Sequence, residues 1–239
     1  MVGNNNISGS AYGCWPVIPL DLITEDSIVY SFGAGEDLSY EFLLSGFKNP
    51  EIHIFDPTPR SKPHFNFCTS IISEKIKPPS NLRFGGGDPG YINYISNSNA
   101  NIDRVLFHEI GIYNEDALLK FFHPANEEHV SMSIDNLQNT KKYTALTVNK
   151  IESILKKLNH NTIDLLKLNI EGAEVVSLLH MLKETYIRPR IISVKFELSR
   201  DKCSDETKRK QTELDSLLTL SYDCSFKKND NHTFILKKS

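Results

Sequence analysis

Apolar and polar positions fall in blocks along the chain, and the period changes from block to block. Ile28–Phe32 is a short apolar run, suited to a central parallel strand covered on both faces. Tyr40, Leu43, Leu44 and Phe47 then recur at helical spacing, one stripe of an amphipathic helix. Asp37 is placed to cap that helix and Gly46 lies near its end. Residues 52–55 give a second strand, stopped by Asp56-Pro57. Residues 58–100 are the least regular: they hold Pro59, Pro63, Pro78, Pro79 and the run Gly85-Gly86-Gly87, with Tyr91, Ile92 and Ile95 suggesting one short helix. Strands are expected over 105–110, 118–122 and 144–148, the last two joined by a polar loop with His123, Ser131 and Ser133.

The second half is plainer. Ile151, Ile154, Leu155 and Leu158 repeat at helical spacing, 163–168 reads as a buried strand, and Val175, Val176, Leu178, Leu179 and Leu182 mark another helix. A strand over 191–198, a helix carrying Leu214, Leu217 and Leu218, and two short strands around Asn229-Asp230-Asn231 close the chain. This β-α alternation implies an α/β domain with one doubly wound, mostly parallel sheet and an antiparallel hairpin at its C-terminal edge. One domain spans 1–239: an N-terminal arm (1–27), a core (28–200) and a C-terminal helix and hairpin (201–239).

Composition narrows the function. A net charge of −3 lacks the basic excess of a nucleic-acid binder, and the lysine doublets at 141–142, 156–157, 227–228 and 237–238 are scattered as solvated faces. No run approaches the ~20 apolar residues of a membrane span, and the N-terminus lacks the pattern of a secretory signal. Cys14, Cys68, Cys203 and Cys224 lie far apart without a CxxC, so reduced thiols and a cytoplasmic location are expected. With no HExxH and no close His/Asp cluster, no metal is expected.

The chemistry concentrates at strand exits, where ligands sit in such sheets. Gly33 and Gly35 follow the first strand; glycine permits a tight turn and a close approach, and the next helix offers free N–H groups to an anion. Leu38 stands where a GxGxxG fingerprint needs its third glycine, and there is no P-loop. Glu36 and Asp37 add negative charge that a pyrophosphate would oppose and a sulfonium would favour. Asp56, 21 positions after Gly35, is placed to accept from ribose hydroxyls. These features alone leave NAD and S-adenosylmethionine both open.

Residues 163–174, IDLLKLNIEGAE, resemble the DLLKxDxEGAE signature of the FkbM-type methyltransferases. YSFGAGEDLSYEFLL and IHIFDPTPR are similar to the same family's first motif and strand-two acid, and FHEIGIYNEDALLKFF to its third strand and following hairpin. The resemblance runs from about 28 to about 200 in the family's order. It implies a Rossmann-like class I methyltransferase fold and S-adenosylmethionine as cofactor, with O-methylation of a hydroxyl on a small molecule or glycan. Cofactor contacts are implied at Ser31, Gly33, Gly35, Glu36, Asp56 and Asn169, and a looser match places adenine contacts at Glu109 and Gly111. Asn169 departs from the family's usual Asp, and an amide cannot take a proton. Glu171, Asn169 and His123 are the catalytic candidates, with His129 and Glu174 behind them. His53 and His108, within strands, are expected to be structural. Tyr12 and Trp15 are expected to pack against the sheet or cover the site. The competing readings are a non-catalytic binding module and, less favoured, an NAD-type oxidoreductase.

Overall fold

The computed structural model describes residues 18–74, 90–126, 131–136, 138–196 and 205–238. Tyr12, Trp15, the glycine run at 85–87 and His129 lie outside them.

Among the described residues, ten strands and six helices follow one another: β1 Ile28–Phe32, α1 Ser39–Lys48, β2 Glu51–Phe55, α2 Ser61–Glu74, α3 Tyr91–Ser96, β3 Val105–His108, β4 Gly111–Ile112, β5 Ala117–Phe122, β6 Tyr143–Asn149, α4 Ile151–Leu158, β7 Leu165–Leu168, α5 Glu174–Glu184, β8 Ile191–Lys195, α6 Asp205–Ser221, β9 Tyr222–Lys228 and β10 Asn231–Leu236. Seven strands form the main sheet in the order β3-β2-β1-β7-β8-β10-β9. The first five pair in parallel; β10 runs antiparallel to β8 and to β9. The order reverses between β1 and β7, and that switch point opens a crevice at the strands' carboxyl ends.

Strand periodicity divides the core. Val29, Ile52, Ile54, Leu165 and Ile191 pack with residues of α1, α2 and α3. Their neighbours Tyr30, Phe32, Phe55, Leu166, Leu168, Ile192 and Val194 pack with α4, α5 and α6. Successive residues point to opposite faces, so strands that read as continuous apolar runs are covered on both sides. No helix among the described residues is long and apolar enough to cross a membrane.

Two expectations change. Residues 118–122 and 144–148 are strands, but they do not join the main sheet: β5 and β6 pair antiparallel and β4 adds in parallel, a separate three-stranded sheet. Their alternating, half-exposed pattern fits a sheet covered on one face. Within the irregular stretch, 61–74 is a helix, α2. Its Pro63 is the third residue, where proline costs no helical hydrogen bond because first-turn N–H groups have no intrahelical acceptor.

Candidate active site

The crevice is built by two strand exits brought into contact. Past the ends of β1 and β7, Gly33 N–H donates to the Phe55 carbonyl and Asn169 N–H to the Phe32 carbonyl, both at 3.0 Å. Gly33 has φ +87°, and a Cβ there would lie 1.8 Å from the Asn169 carbonyl oxygen. Glycine is thus required because the β7 exit crosses at that point. At Gly35, with φ +52°, an added Cβ would meet nothing within 4 Å, leaving open space beside the loop.

Asp56 organises this loop. It is 5% exposed, and one carboxylate oxygen accepts from the Ala34 and Gly35 amides at 2.9 and 3.0 Å. The other accepts from the Thr58 amide and hydroxyl at 2.8 and 2.6 Å. Four donors match a carboxylate's acceptor capacity. In this arrangement Asp56 holds the glycine turn and the strand-two turn together, and the two loop amides point at it.

The flanking acids have partners too. Glu36 pairs with Arg60 at 2.5 Å. Asp37 accepts from the Ser39 amide and hydroxyl at 2.9 and 2.6 Å, which ties down the start of α1. The adjoining Leu38 amide donates to the Tyr91 hydroxyl at 3.1 Å, and His64 Nε2 lies 2.7 Å from that hydroxyl. Burial lowers the His64 pKa to about 4 and pushes the neighbouring Cys68 thiol up to about 12, so neither is ionised at neutral pH.

After β7 the chain turns through Glu171 (φ +56°) and Gly172 (φ +105°). Glu174, fully buried, folds back to accept from the Ile170 and Gly172 amides at 2.8 and 3.0 Å. Glu174 therefore braces this turn. Ser133, reached from β5 through a bridge to Phe122, donates to the Glu171 carbonyl at 2.7 Å. That contact anchors the small sheet against the crevice, where Phe121, Ser131, Met132 and Ile134 form part of the wall.

Of the expected residues, Gly33, Gly35, Glu36, Asp56, Gly111, Asn169 and Glu171 line one crevice. Ser31, Glu109 and His123 are not in its lining. Ser31 is wholly buried and donates to Glu41 Oε1 at 2.6 Å. Glu109 is exposed, because its strand register ends at His108. His123 sits past β5 with Nε2 2.9 Å from the Thr144 hydroxyl. Among the described residues, the buried Asn169 Oδ1 has no hydrogen-bond partner, which leaves an acceptor available inside the crevice.

Lys167 and Lys195 also line the crevice, and sequence reasoning passed over both. Lys167 is 2% exposed and donates to Glu41 Oε1 at 2.7 Å and Ser31 Oγ at 3.3 Å. A lysine inside the apolar run LLKL was its signal, because a buried ammonium needs a paired anion.

A parallel sheet reversing at β1/β7, closed by an antiparallel β10–β9 pair and carrying its crevice at the β1 exit, defines the Rossmann-like methyltransferase class. The model of the methyltransferase FkbM domain matches residues 32–228. The chain belongs to the FkbM methyltransferase family. Among solved structures, the methyltransferase FkbM from Methylobacillus flagellatus KT is similar at 11% identity and TM-score 0.48, with 89% of this chain covered. This chain spans 44% of that structure's chain. The Methanococcus jannaschii fibrillarin pre-rRNA processing protein aligns at 9% identity and TM-score 0.41, over 94% of this chain and 71% of its own. No curated protein matches the chain.

Proposed function

We propose that the chain is an S-adenosylmethionine-dependent methyltransferase that acts on a hydroxyl of a small molecule or glycan. The observation that carries the reading is the Asn169 Oδ1, without a partner among the described residues, in the same crevice lining as Gly35. The residues present fit the cofactor. Asn169 would accept from its ammonium, Gly35 leaves room beside the loop, and Glu36 and Asp37 supply negative potential for a sulfonium. Gly111 and Ile112, in the same lining, would flank the adenine. Asp56 enters chiefly by holding the loop, and reaches ribose only by exchanging one of its present donors.

Bound there, the cofactor supplies an activated methyl group. The chain's own residues then orient the acceptor, exclude water and receive a proton. Fixing a reacting pair in line is worth about 7–11 kcal/mol of a barrier. Asn169 cannot serve as base, so the proton falls to Glu171, the candidate carboxylate on the β7 side of the lining. Its left-handed backbone, braced by Glu174 and Ser133, fixes the position from which that side chain projects. Base catalysis of this kind contributes roughly 10²–10⁴-fold.

The test is calorimetric binding of S-adenosylmethionine, its demethylated product and NAD, followed by methyl transfer across an acceptor panel. Binding of the first two but not NAD, with turnover abolished in Glu171→Gln, supports the reading. Binding of NAD alone refutes it. The amide at position 169 favours one second reading, a domain that binds the cofactor without turning over; tight binding with no transfer to any acceptor would select it.

A further inference from the structure

At the opposite end of β2 from Asp56, a second cluster has the composition of a metal site. Glu51 opens the strand, His53 points to the same face, and His160 arrives from the end of α4. Five residues at about 3.3 Å each separate Glu51 from Asp56 by roughly 17 Å, so this place is distinct from the crevice. Among the described residues, Glu51, His53 and His160 each offer one ligand atom, all within 4.8 Å of one another. His53 Nε2 lies 2.7 Å and His160 Nε2 3.4 Å from Glu51 Oε1.

The other ring nitrogens are held. His53 Nδ1 is 2.9 Å from His108 Nε2, and His160 Nδ1 is 2.8 Å from the Tyr30 hydroxyl. Supports of this kind fix the tautomer that aims a lone pair at a metal. In the structure the His53 Nε2–H donates to Glu51; a bound metal would take that proton's place, with the ring protons then on Nδ1 toward His108 and Tyr30 and the Nε2 lone pairs on the ion. The backbone is fixed as well. Asn159 is left-handed, its N–H bonds to the Lys156 carbonyl, and the His160 N–H bonds to the Leu155 carbonyl at 2.9 Å. This is the Schellman ending of a helix. It sets His160 in place and leaves the negative end of the α4 dipole nearby, which favours a cation.

We propose that Glu51, His53 and His160 bind a divalent transition metal of the zinc class, in a three-ligand site with a fourth position open to water. In tetrahedral zinc the ligand atoms stand about 3.3 Å apart. The His160–Glu51 spacing already meets this. The His53–Glu51 contact must lengthen by about half an ångström, and the motion falls to Glu51, whose side chain is 37% exposed against 3% for His53. Arg104 acts electrostatically on Glu51, and Lys157 on His108 behind His53. Two imidazole nitrogens with one carboxylate suit zinc or cobalt rather than a hard ion. The site pins the end of α4 to the start of β2 and is independent of the methyl-transfer reading.

The experiment uses the full chain, freed of metal with chelator and titrated with Co²⁺ and then Zn²⁺. The expected result is one ion per chain, visible bands of four-coordinate cobalt lost on adding zinc, and a raised melting temperature. His160→Gln and Glu51→Gln, both at partly exposed positions, should each weaken binding at least about tenfold while keeping the wild-type circular dichroism. Absence of cobalt bands, thiolate-to-cobalt charge transfer in their place, or unchanged affinity in either variant would overturn the proposal.

Discussion

Single residues show how tightly the crevice is specified. Gly33 and Gly35 look alike in sequence but differ in what surrounds them. Gly33→Ala forces a Cβ against the Asn169 carbonyl and adds a left-handed penalty of about 1–2 kcal/mol, so denaturant melts should show a loss of more than about 2 kcal/mol. Gly35→Ala meets no neighbour and should cost only about 1 kcal/mol. Equal losses in the two variants would mean that the strand exits are not in contact. The Lys167–Glu41 pair makes a second case, both side chains being 2% exposed or less. Lys167→Met leaves the buried Glu41 carboxylate without its counter-charge and should cost about 3–5 kcal/mol, whereas Lys167→Met with Glu41→Leu should recover most of it. A double variant as unstable as the single one would show that the pair contributes more than mutual neutralisation.

At the scale of elements, α1, α2 and α3 meet through the His64–Tyr91–Leu38 chain of contacts, and this joint responds to pH. His64 has a folded pKa of about 4 against an ordinary 6.5. Between those values the unfolded chain binds more protons, so stability falls as pH falls. The loss is about 1.4 kcal/mol per pH unit at most across that window, and the contribution is fully present above pH 6.5. Melting curves from pH 7 to 4 should steepen in wild type relative to His64→Gln; parallel curves would remove His64 as the cause. The small sheet is tied to the β7 exit by the Ser133 hydroxyl. Ser133→Ala should lower stability by only about 1 kcal/mol, yet slow methyl transfer, because it frees the turn that carries Glu171. An unchanged rate would separate that sheet from the chemistry.

Taken whole, the molecule is a sheet with a crevice at the carboxyl ends of its strands, where the proposed cofactor would bind. At a hundred times its dissociation constant the demethylated cofactor should add about 2.7 kcal/mol of stability. For a chain of this size that is a shift of roughly 5–11 °C in melting temperature. Asp56→Ala should weaken that affinity at least about tenfold by releasing the Ala34 and Gly35 amides from their anchor. Unchanged affinity would detach the strand-two acid from the cofactor site.

The sequence by itself determined the layers. Short, mostly apolar stretches at β1, β2, β7 and β8, alternating with helical stripes, dictate a doubly wound sheet, because burial on both faces favours apolar residues at successive strand positions. It also determined the three chain positions that meet at the crevice, through glycines and acids placed at strand exits. Tertiary structure alone decided the rest. Pairing is non-local, so nothing in residues 117–149 announces a separate sheet, since half-buried alternation suits either sheet equally. The partners of Ser31 and Asp56 were hidden for the same reason: a hydroxyl or carboxylate at a strand exit has the same local sequence whether it faces a ligand or another loop. Glu51, His53 and His160 read as isolated side chains until β2 and the end of α4 were set side by side, because a ligand set scattered over 110 residues has no spacing to recognise.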